Sequence, residues 1–283
     1  MYFSDHELDQ LITEDIPFYD LTTSLLRLGN KPAKIQFTTR HETVICCTEE
    51  VLKIFAKINI QPTLITPSGE LLEPKVKFLE GEGLAKNIHA AWRTCSNLME
   101  YASGIATRTK KLVDKAKEAN PDIVIATTRK TIPFTKKIAL KAVRSGGASI
   151  HRVNLSESIL IFENHYKFLG GLENIDEKLK ERKNLITEKN IALEVKSKEM
   201  ALSVSKEYID VLQLDKLPAS ELKSVVDELK PKHPNLKFAA AGGITYDNIS
   251  EYAKTGVDLI VTSWPYYATP AEFTVSIEPI YDF

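Results

Sequence analysis

The sequence predicts an α/β protein with two domains, an N-terminal α+β domain and a C-terminal parallel α/β domain. At 283 residues the chain is long for one domain, and its 43% hydrophobic content is ample for a core. Strand-like and helical segments are mixed without regular order in the first third, and they alternate after Pro121. We assign 1–108 to the first domain and 109–269 to the second, and we expect 270–283 to pack back on the first.

The N-terminal domain is predicted from short segments of both kinds. Amphipathic patterns predict helices over 5–13 and 48–58, and strand-like runs lie at 34–40, 43–47, 62–66 and 74–80. This irregular order is typical of an α+β domain rather than of repeated βαβ units.

A long helix is predicted over 89–119, because apolar residues recur there at helical spacing. We expect Ser103-Gly104 to interrupt it, since glycine is a poor helix former.

The C-terminal domain is predicted from short apolar runs that are separated by amphipathic segments. The runs lie at 123–127, 159–162, 191–195, 210–214, 237–241 and 258–262, and the helical segments at 135–145, 174–187, 197–207, 219–230 and 246–254. This alternation indicates parallel βαβ units. Because six strands are legible, the domain is either a shortened barrel or an open doubly wound sheet.

Composition excludes several classes of function. The net charge of −1 argues against nucleic acid as a partner. No apolar run approaches the length of a membrane span, and the N-terminal residues lack the pattern of a signal peptide, so we expect a cytoplasmic protein. Cys46, Cys47 and Cys95 lack the spacing of a zinc site, and the adjacent pair is expected to be buried strand.

Charged residues cluster where the predicted strands end. Two cationic pairs, Arg129-Lys130 and His151-Arg152, follow such runs. The same position is taken by Glu163, Glu194, Asp215, Gly242-Gly243 and Ser263. Because functional groups of parallel α/β proteins lie at the carboxyl ends of the strands, these residues are expected to share one site. Guanidinium groups bind carboxylates and phosphates, so its ligand should carry several negative charges.

The two acids Glu194 and Asp215 end consecutive strands of this domain. A pair of carboxylates there suits Mg²⁺ or ribose hydroxyls, because Mg²⁺ prefers oxygen ligands and retains several waters. The alternative for each acid is a salt bridge to a neighbouring lysine. Because the two acids face a cationic cluster as a pair, a ligand site is favoured over two separate salt bridges.

The Ala241-Gly242-Gly243 segment is a candidate phosphate cradle. Two glycines let the backbone approach an anion, and a helix predicted from Tyr246 would supply oriented N–H groups. The next strand end, at Ser263, would form the other wall. The alternative is a tight turn between strand and helix. Gly146-Gly147 is better explained as a helix C-cap.

A set of short motifs in this order resembles the quinolinate phosphoribosyltransferase family, also called nicotinate-nucleotide pyrophosphorylase (carboxylating). The motifs span nearly the whole chain: Glu14-Asp15 with Asp20-Leu21-Thr22-Thr23, Ala91-Trp92-Arg93-Thr94, Ser103-Gly104-Ile105-Ala106-Thr107, Thr128-Arg129-Lys130-Thr131, His151-Arg152, Asn164-His165, Glu194-Val195, Leu214-Asp215, Gly242-Gly243-Ile244 and Thr255-Gly256-Val257-Asp258.

Several positions depart from the usual family pattern. The lysine before the acidic-Asn-His run is Phe162, the asparagine after Leu-Asp is Lys216, and the serine before Gly-Gly is Ala241. The threonine and histidine of the last strand are replaced within 263–267. These features resemble the ModD branch, which is associated with molybdenum transport and named as a pyrophosphorylase.

The resemblance implies an N-terminal α/β sandwich and a C-terminal incomplete α/β barrel of the type II phosphoribosyltransferase kind. It implies transfer of phosphoribose from phosphoribosyl pyrophosphate to a small anionic or heteroaromatic nitrogen base, with release of pyrophosphate. It also implies a homodimer in which Arg93 reaches the partner's barrel.

The resemblance further assigns roles to single residues. Arg93, Arg129, His151 and Arg152 would hold the base, with Phe162 beside them. Lys130, Glu194 and Asp215 would be catalytic, the two acids holding Mg²⁺. Ala241, Gly242, Gly243 and Ser263 would bind phosphate.

Phe162 bears on the identity of the base, because a ring in place of a cation removes a partner for a carboxylate. Losing one charge-assisted hydrogen bond costs about 1.5–3 kcal/mol. The leading hypothesis is therefore a ModD-like phosphoribosyltransferase that acts on an aromatic or heterocyclic base, not necessarily quinolinate, with fewer carboxylates or a more apolar character. The alternatives are a true quinolinate enzyme, which makes nicotinate mononucleotide in NAD biosynthesis, and a non-catalytic oxyanion or nucleotide binder in molybdenum handling.

Overall fold

The computed structural model describes residues 1–185 and 188–281, and the chain divides into two units. The first comprises Met1–Lys110, Ile132–Gly147 and the residues from Tyr266 onward, and the second comprises Lys111–Thr131 and Ala148–Pro265. The predicted boundary had kept 132–147 in the second domain. Within the first unit, Lys141 pairs with Glu49 and with the buried Glu50, which ties this segment to it.

The helices and strands are numbered in chain order. The helices are α1 (Asp5–Asp15), α2 (Leu21–Leu25), α3 (Thr48–Lys57), α4 (Ala85–Ala119), α5 (Lys136–Ser145), α6 (Glu163–Tyr166), α7 (Ile175–Arg182), α8 (Lys198–Ser203), α9 (Ala219–Leu229) and α10 (Ile249–Ala253). The strands are β1 (Pro32–Thr39), β2 (Thr43–Val44), β3 (Gln61–Ile65), β4 (Leu71–Leu72), β5 (Lys77–Leu84), β6 (Val124–Thr127), β7 (Ser149–Ile150), β8 (Ile159–Ile161), β9 (Ile191–Val195), β10 (Val211–Asp215), β11 (Lys237–Ala241), β12 (Leu259–Thr262) and β13 (Phe273–Pro279).

The first unit is built on an antiparallel sheet of order β13-β1-β5-β3. Alternate residues of β1, including Ile35 and Phe37, are fully buried, as expected for a strand with one face on the core. The ring of Phe78 lies 4.7 Å from that of Phe273, so the chain after 270 does return to this unit. The last two residues of the predicted 270–283 segment lie outside the described residues.

The strand predicted over 43–47 is shorter than expected. β2 ends at Val44, and Cys47 adopts a left-handed conformation (φ 69°) directly before α3. Cys46 and Cys47 are both fully buried and neither forms a disulfide, so the prediction of burial is confirmed.

Helix α4 is continuous, and the predicted interruption at Ser103-Gly104 is wrong. Gly104 instead allows another backbone segment to pack closely against the helix. A Cβ at this position would lie 2.4 Å from the backbone oxygen of Thr269 and 3.0 Å from Cα of Pro270. The glycine therefore lets a backbone segment of the same unit approach the helix.

We expect Gly104→Ala to lower the free energy of unfolding by about 1–3 kcal/mol, because the added methyl group collides with backbone that cannot rotate away. Helix propensity alone predicts the opposite change, an increase in the free energy of unfolding of about 1 kcal/mol. Urea denaturation measures the difference, with Glu118→Ala at an exposed position of the same helix as the control. A stabilised Gly104→Ala variant would show that the close packing carries no energetic weight.

The second unit is built on a parallel sheet of seven strands in the order β7-β6-β12-β11-β10-β9-β8. Apart from β7 and β8, strands that follow each other in sequence are neighbours in the sheet, and β12 lies beside β6. This is the strand order of a barrel. In a doubly wound sheet the strand order would instead reverse near the middle of the sheet. Among the described residues β7 and β8 are not hydrogen-bonded to each other, so the barrel is incomplete. β7 is two residues long and was not among the six predicted runs, although the cationic pair His151-Arg152 directly follows it as predicted.

The helices of this unit are shorter than predicted. α8 ends at Ser203, and α10 begins at Ile249 rather than at Tyr246. Over the whole described chain, no helix combines the length and the apolar character that crossing a membrane requires.

Candidate active site

A cavity of about 390 Å³ lies within the second unit at the carboxyl ends of its strands. Its volume is in the range of small-molecule sites. The residues that line it are Thr128, Arg129, Lys130, His151, Arg152, Leu160, Phe162, Glu194, Gln213, Asp215, Lys216, Ala241, Gly242, Gly243 and Val261. The structure therefore brings together most of the residues that were predicted from the strand ends.

Strand register explains this convergence. Glu194 and Gln213 are direct partners across β9 and β10, and Asp215 is paired with Ala241 across β10 and β11. Paired residues, and residues two apart on a strand, point to the same face of a sheet. Deeper on this face Ala239 packs with Ala241 and Val261, and these short side chains leave space above them.

Four cations line the cavity, namely Arg129, Lys130, Arg152 and Lys216. Within the described ranges none of their side chains forms an ion pair with a carboxylate, although other lysines of the unit do. Arg152 is only 8% exposed, and burial followed by the nearby charge of Arg129 lowers its pKa. Converging cations without partners repel one another, so the arrangement favours an anionic ligand.

His151 lies beside these cations. Burial lowers the pKa of its imidazole, and Arg152 lowers it further, while Glu157 acts in the opposite direction. The ring is therefore neutral at pH 7, with one nitrogen as donor and the other as acceptor.

The two carboxylates differ in their surroundings. Burial and then the charge of Asp215 raise the pKa of Glu194, while the hydrogen bond from Gln213 and the nearby lysines act in the opposite direction. The Gln213 Nε2 group donates to Glu194 Oε2 at 2.6 Å. No described residue donates a hydrogen bond or forms an ion pair with the Asp215 side chain, so its oxygens are available to a ligand.

The Gly242-Gly243 segment borders the same cavity. Both residues have left-handed backbones, with φ of 85° and 72°. A Cβ on Gly242 would lie 2.6 Å from Asp215 Oδ1 and 2.5 Å from Lys216 Cγ, whereas one on Gly243 would meet nothing within 4 Å. Only glycine fits at Gly242, and Gly243 leaves its backbone open.

The predicted helix start at Tyr246 is wrong, and with it the expectation that helix amides reach this loop. Thr245 N donates to Asn248 Oδ1 at 2.8 Å, and Asn248 Nδ2 donates to Gly243 O at 3.1 Å. These bonds close a turn before α10 begins. Any backbone groups offered to an anion are therefore those of the glycines themselves.

Three predicted residues are not among those that line the cavity. Glu163 pairs with Lys167 and Lys196, whose hydrogen bonds lower its pKa from 4.5 to about 2. Ser263 lies within a turn in which Trp264 N donates to Thr262 Oγ1 at 3.1 Å, and this turn follows the end of the strand. Arg93 belongs to the first unit.

Arg93 borders a different cavity, of about 510 Å³, together with Asp15, Asp20 and His89. Its guanidinium carbon lies 4.0 Å from the ring centroid of the neighbouring Trp92. Stacking on an aromatic face holds a guanidinium group without neutralising it.

Gln213 and Lys216 line the cavity but were not predicted as site residues. Gln213 is a polar residue within the apolar run of β10, two positions before Asp215, so strand periodicity could have placed it on the same face. Lys216 follows the strand, and its left-handed backbone (φ 61°) could not be read from residue type.

Comparison with known proteins agrees with this geometry. The model described as quinolinate phosphoribosyl transferase, N-terminal domain, matches residues 20–103, and the corresponding C-terminal domain model matches residues 105–275. The crystal structure of nicotinate-nucleotide pyrophosphorylase from Ehrlichia chaffeensis superimposes with a TM-score of 0.88 at 26% identity, covering 98% of this chain and 100% of that chain.

Two relatives represent the two branches that resemble the chain. The ModD protein of Pasteurella multocida (strain Pm70) is 36% identical over 278 residues, which cover 98% of this chain and 99% of the relative. The nicotinate-nucleotide pyrophosphorylase (carboxylating) of Rattus norvegicus is 29% identical over 260 residues, which cover 92% of this chain and 86% of the relative. The chain therefore belongs to the quinolinate phosphoribosyltransferase family and is of the ModD type.

Proposed function

We propose that this protein is a pentosyltransferase that transfers phosphoribose from phosphoribosyl pyrophosphate to the ring nitrogen of a heteroaromatic base and releases pyrophosphate. The observation that carries this proposal is a cavity lined by two carboxylates and by four cations, none of which forms an ion pair with a carboxylate among the described residues. The cations suit the phosphates of the donor, and the carboxylates suit a sugar on which positive charge develops. Membership of the family supports the same reaction.

The distribution of charge fits the transition state of such a transfer. The bond from C1 to the pyrophosphate oxygen breaks ahead of formation of the new bond from C1 to the ring nitrogen, so C1 becomes positive and the leaving group takes the electron pair as negative charge. Fixed charges of opposite sign at each place stabilise this state more than acid–base groups would. Lys130 would face the leaving pyrophosphate, and Glu194 and Asp215 would face the ribose.

Mg²⁺ is the cofactor that these residues fit. Magnesium is typically held by one or two carboxylates plus substrate phosphates, and the Asp215 oxygens have no partner among the described residues. Glu194 and Asp215 would hold the ion, which would neutralise charge on the pyrophosphate. The two acids alone do not form a protein-only metal cage, and no larger cluster of metal-binding side chains occurs in 1–185 or 188–281.

The base is proposed to be less acidic than quinolinate. Arg129, Arg152 and the neutral His151 can hold one carboxylate, but the same cavity is also lined by the apolar residues Leu160 and Phe162. The Phe162 ring lies edge-on to His165, with centroids 4.2 Å apart. A ring in this place favours an apolar part of the base over a second carboxylate.

The activity is tested by incubation with phosphoribosyl pyrophosphate, Mg²⁺ and a panel of pyridine and purine bases, with pyrophosphate release as the readout. We expect release with a base that has at most one carboxylate. Release with quinolinate together with CO₂ would instead identify a quinolinate enzyme. No release with any base would favour a non-catalytic anion binder.

A homodimer in which Arg93 enters the partner's cavity is part of the proposal. Arg93 stacks on Trp92 and forms no ion pair with any residue in 1–185 or 188–281, and large apolar side chains are exposed in the segment before it, notably Phe18, Leu21 and Leu25. An exposed apolar patch on a globular protein is typical of an interface.

Mixing two inactive variants tests the shared site. If Arg93 acts in trans, a heterodimer of Arg93→Met and Asp215→Asn protomers contains one intact site, and random exchange restores about a quarter of the wild-type activity. Co-expression with different affinity tags isolates the heterodimer, and each homodimer is the control. A heterodimer as inactive as both homodimers would contradict the arrangement.

A further inference from the structure

We infer that Lys216 is a phosphate-binding residue, the cation that completes the Gly242-Gly243 cradle around the 5-phosphate of the sugar. This inference rests on the proposed function and adds a residue to it. It starts from the backbone at the end of β10, where a lysine occupies a conformation that lysine rarely adopts.

The conformation of Lys216 has an energetic cost. Its φ of 61° lies in the left-handed region, which is unfavourable for a residue with a Cβ. The Lys216 N–H donates to Ala241 O at 2.8 Å, so the strained residue is tied to the strand that leads into the glycines. Such strain persists where the surrounding structure enforces it, most often at ligand sites.

The effect of this conformation is to direct the side chain along the glycine loop. The Cγ of Lys216 lies 2.5 Å from where a Cβ of Gly242 would be, so the stem packs directly on the glycine. Lys216 also lines the cavity and is exposed, and it forms no ion pair with any described residue. Its ammonium group is therefore free to meet a ligand at the loop.

The loop itself is open to an anion. Across the described chain, neither the Gly242 nor the Gly243 amide donates a backbone hydrogen bond. Successive free amides at left-handed positions form a concave site that favours negative charge. Ala241 offers no hydroxyl beside them, so a lysine at the edge supplies the charge-assisted bond that the loop otherwise lacks.

The test measures binding of ribose 5-phosphate and of inorganic pyrophosphate by isothermal titration calorimetry. We expect Lys216→Met to weaken ribose 5-phosphate binding by about ten- to a hundredfold, the usual effect of one charge-assisted hydrogen bond. Pyrophosphate binding should change by less than about threefold. Lys216→Arg should retain most of the affinity, because it retains the charge.

Two further variants separate binding from folding. Asparagine tolerates the left-handed region, so Lys216→Asn keeps the backbone and should lose the same affinity as Lys216→Met. Lys237→Met removes a lysine at the opposite end of the same sheet, where it pairs with Asp258 at 3.8 Å, and should change neither affinity.

Steady-state kinetics supply a second readout. We expect KM for phosphoribosyl pyrophosphate to rise in Lys216→Met while kcat stays within about threefold, because the 5-phosphate is remote from the bonds that change. Wild-type protein that binds neither probe would overturn the proposed function. Normal wild-type binding with an unchanged Lys216→Met variant, or with loss of pyrophosphate affinity alone, would overturn the assignment of Lys216 and leave the function standing.

Discussion

Replacement of Asp215 by asparagine is expected to lower kcat by about a hundred- to a thousandfold. Asparagine has the same shape but no charge, so the variant loses the fixed negative charge beside the ribose and one ligand of the proposed Mg²⁺. No described residue forms an ion pair with Asp215 in the folded protein, so the loss should fall on catalysis rather than on stability. Pyrophosphate release and the melting temperature are the two measurements.

The matched control is Asp227→Asn. Asp227 is an exposed aspartate on α9 that pairs with Lys223 at 3.0 Å, and exposed pairs of this kind contribute little. This variant should keep kcat within about twofold. An Asp215→Asn enzyme that retained most of its turnover would remove the carboxylate pair from the mechanism.

Replacement of Phe162 by lysine is expected to raise the preference for quinolinate over a pyridine monocarboxylate by about ten- to a hundredfold, measured as the ratio of the two kcat/KM values. The new ammonium group would join the residues that line the cavity, which now include the apolar Phe162 and Leu160, and there it can meet a second carboxylate. The ratio is the useful quantity, because general damage to the site lowers both terms.

Leu155→Lys is the control for this prediction. Leu155 is 71% exposed in the connection between β7 and β8, and it is not among the residues that line the cavity. It introduces the same charge nearby without facing the ligand. If the well-folded Phe162→Lys variant showed the same ratio as the wild type, position 162 would not select the base.

Much of the site was predictable because charged residues directly follow the apolar runs that predict the strands. The apolar runs before Arg129, Glu194 and Asp215 predicted parallel strands, and parallel strands bring their carboxyl ends to one edge. The family motifs then suggested a role for each residue. The prediction worked for residues on or directly after a strand, because a strand's direction and alternation are visible in its sequence.

The prediction was weaker where local conformation decides position. Glu163 also follows a strand, yet two lysines neutralise it away from the cavity. Ser263 follows a strand that ends in a turn held by Thr262, and Lys216 is directed by a left-handed backbone. In each case a few ion pairs, one hydrogen bond or one dihedral angle sets where the side chain goes, and none of these can be read from residue type alone.

Hydrophobic periodicity and strand–helix alternation were enough to establish an α/β protein with a parallel C-terminal domain, because burial repeats with the period of each element. The continuity of α4 through Gly104, the seventh strand β7 and the opening between β7 and β8 depended on contacts between distant segments. Contacts between distant segments also decide that the four cavity cations form no ion pair with a described carboxylate. A charge is neutralised by whatever lies within a few ångströms, and only the folded chain determines which groups those are.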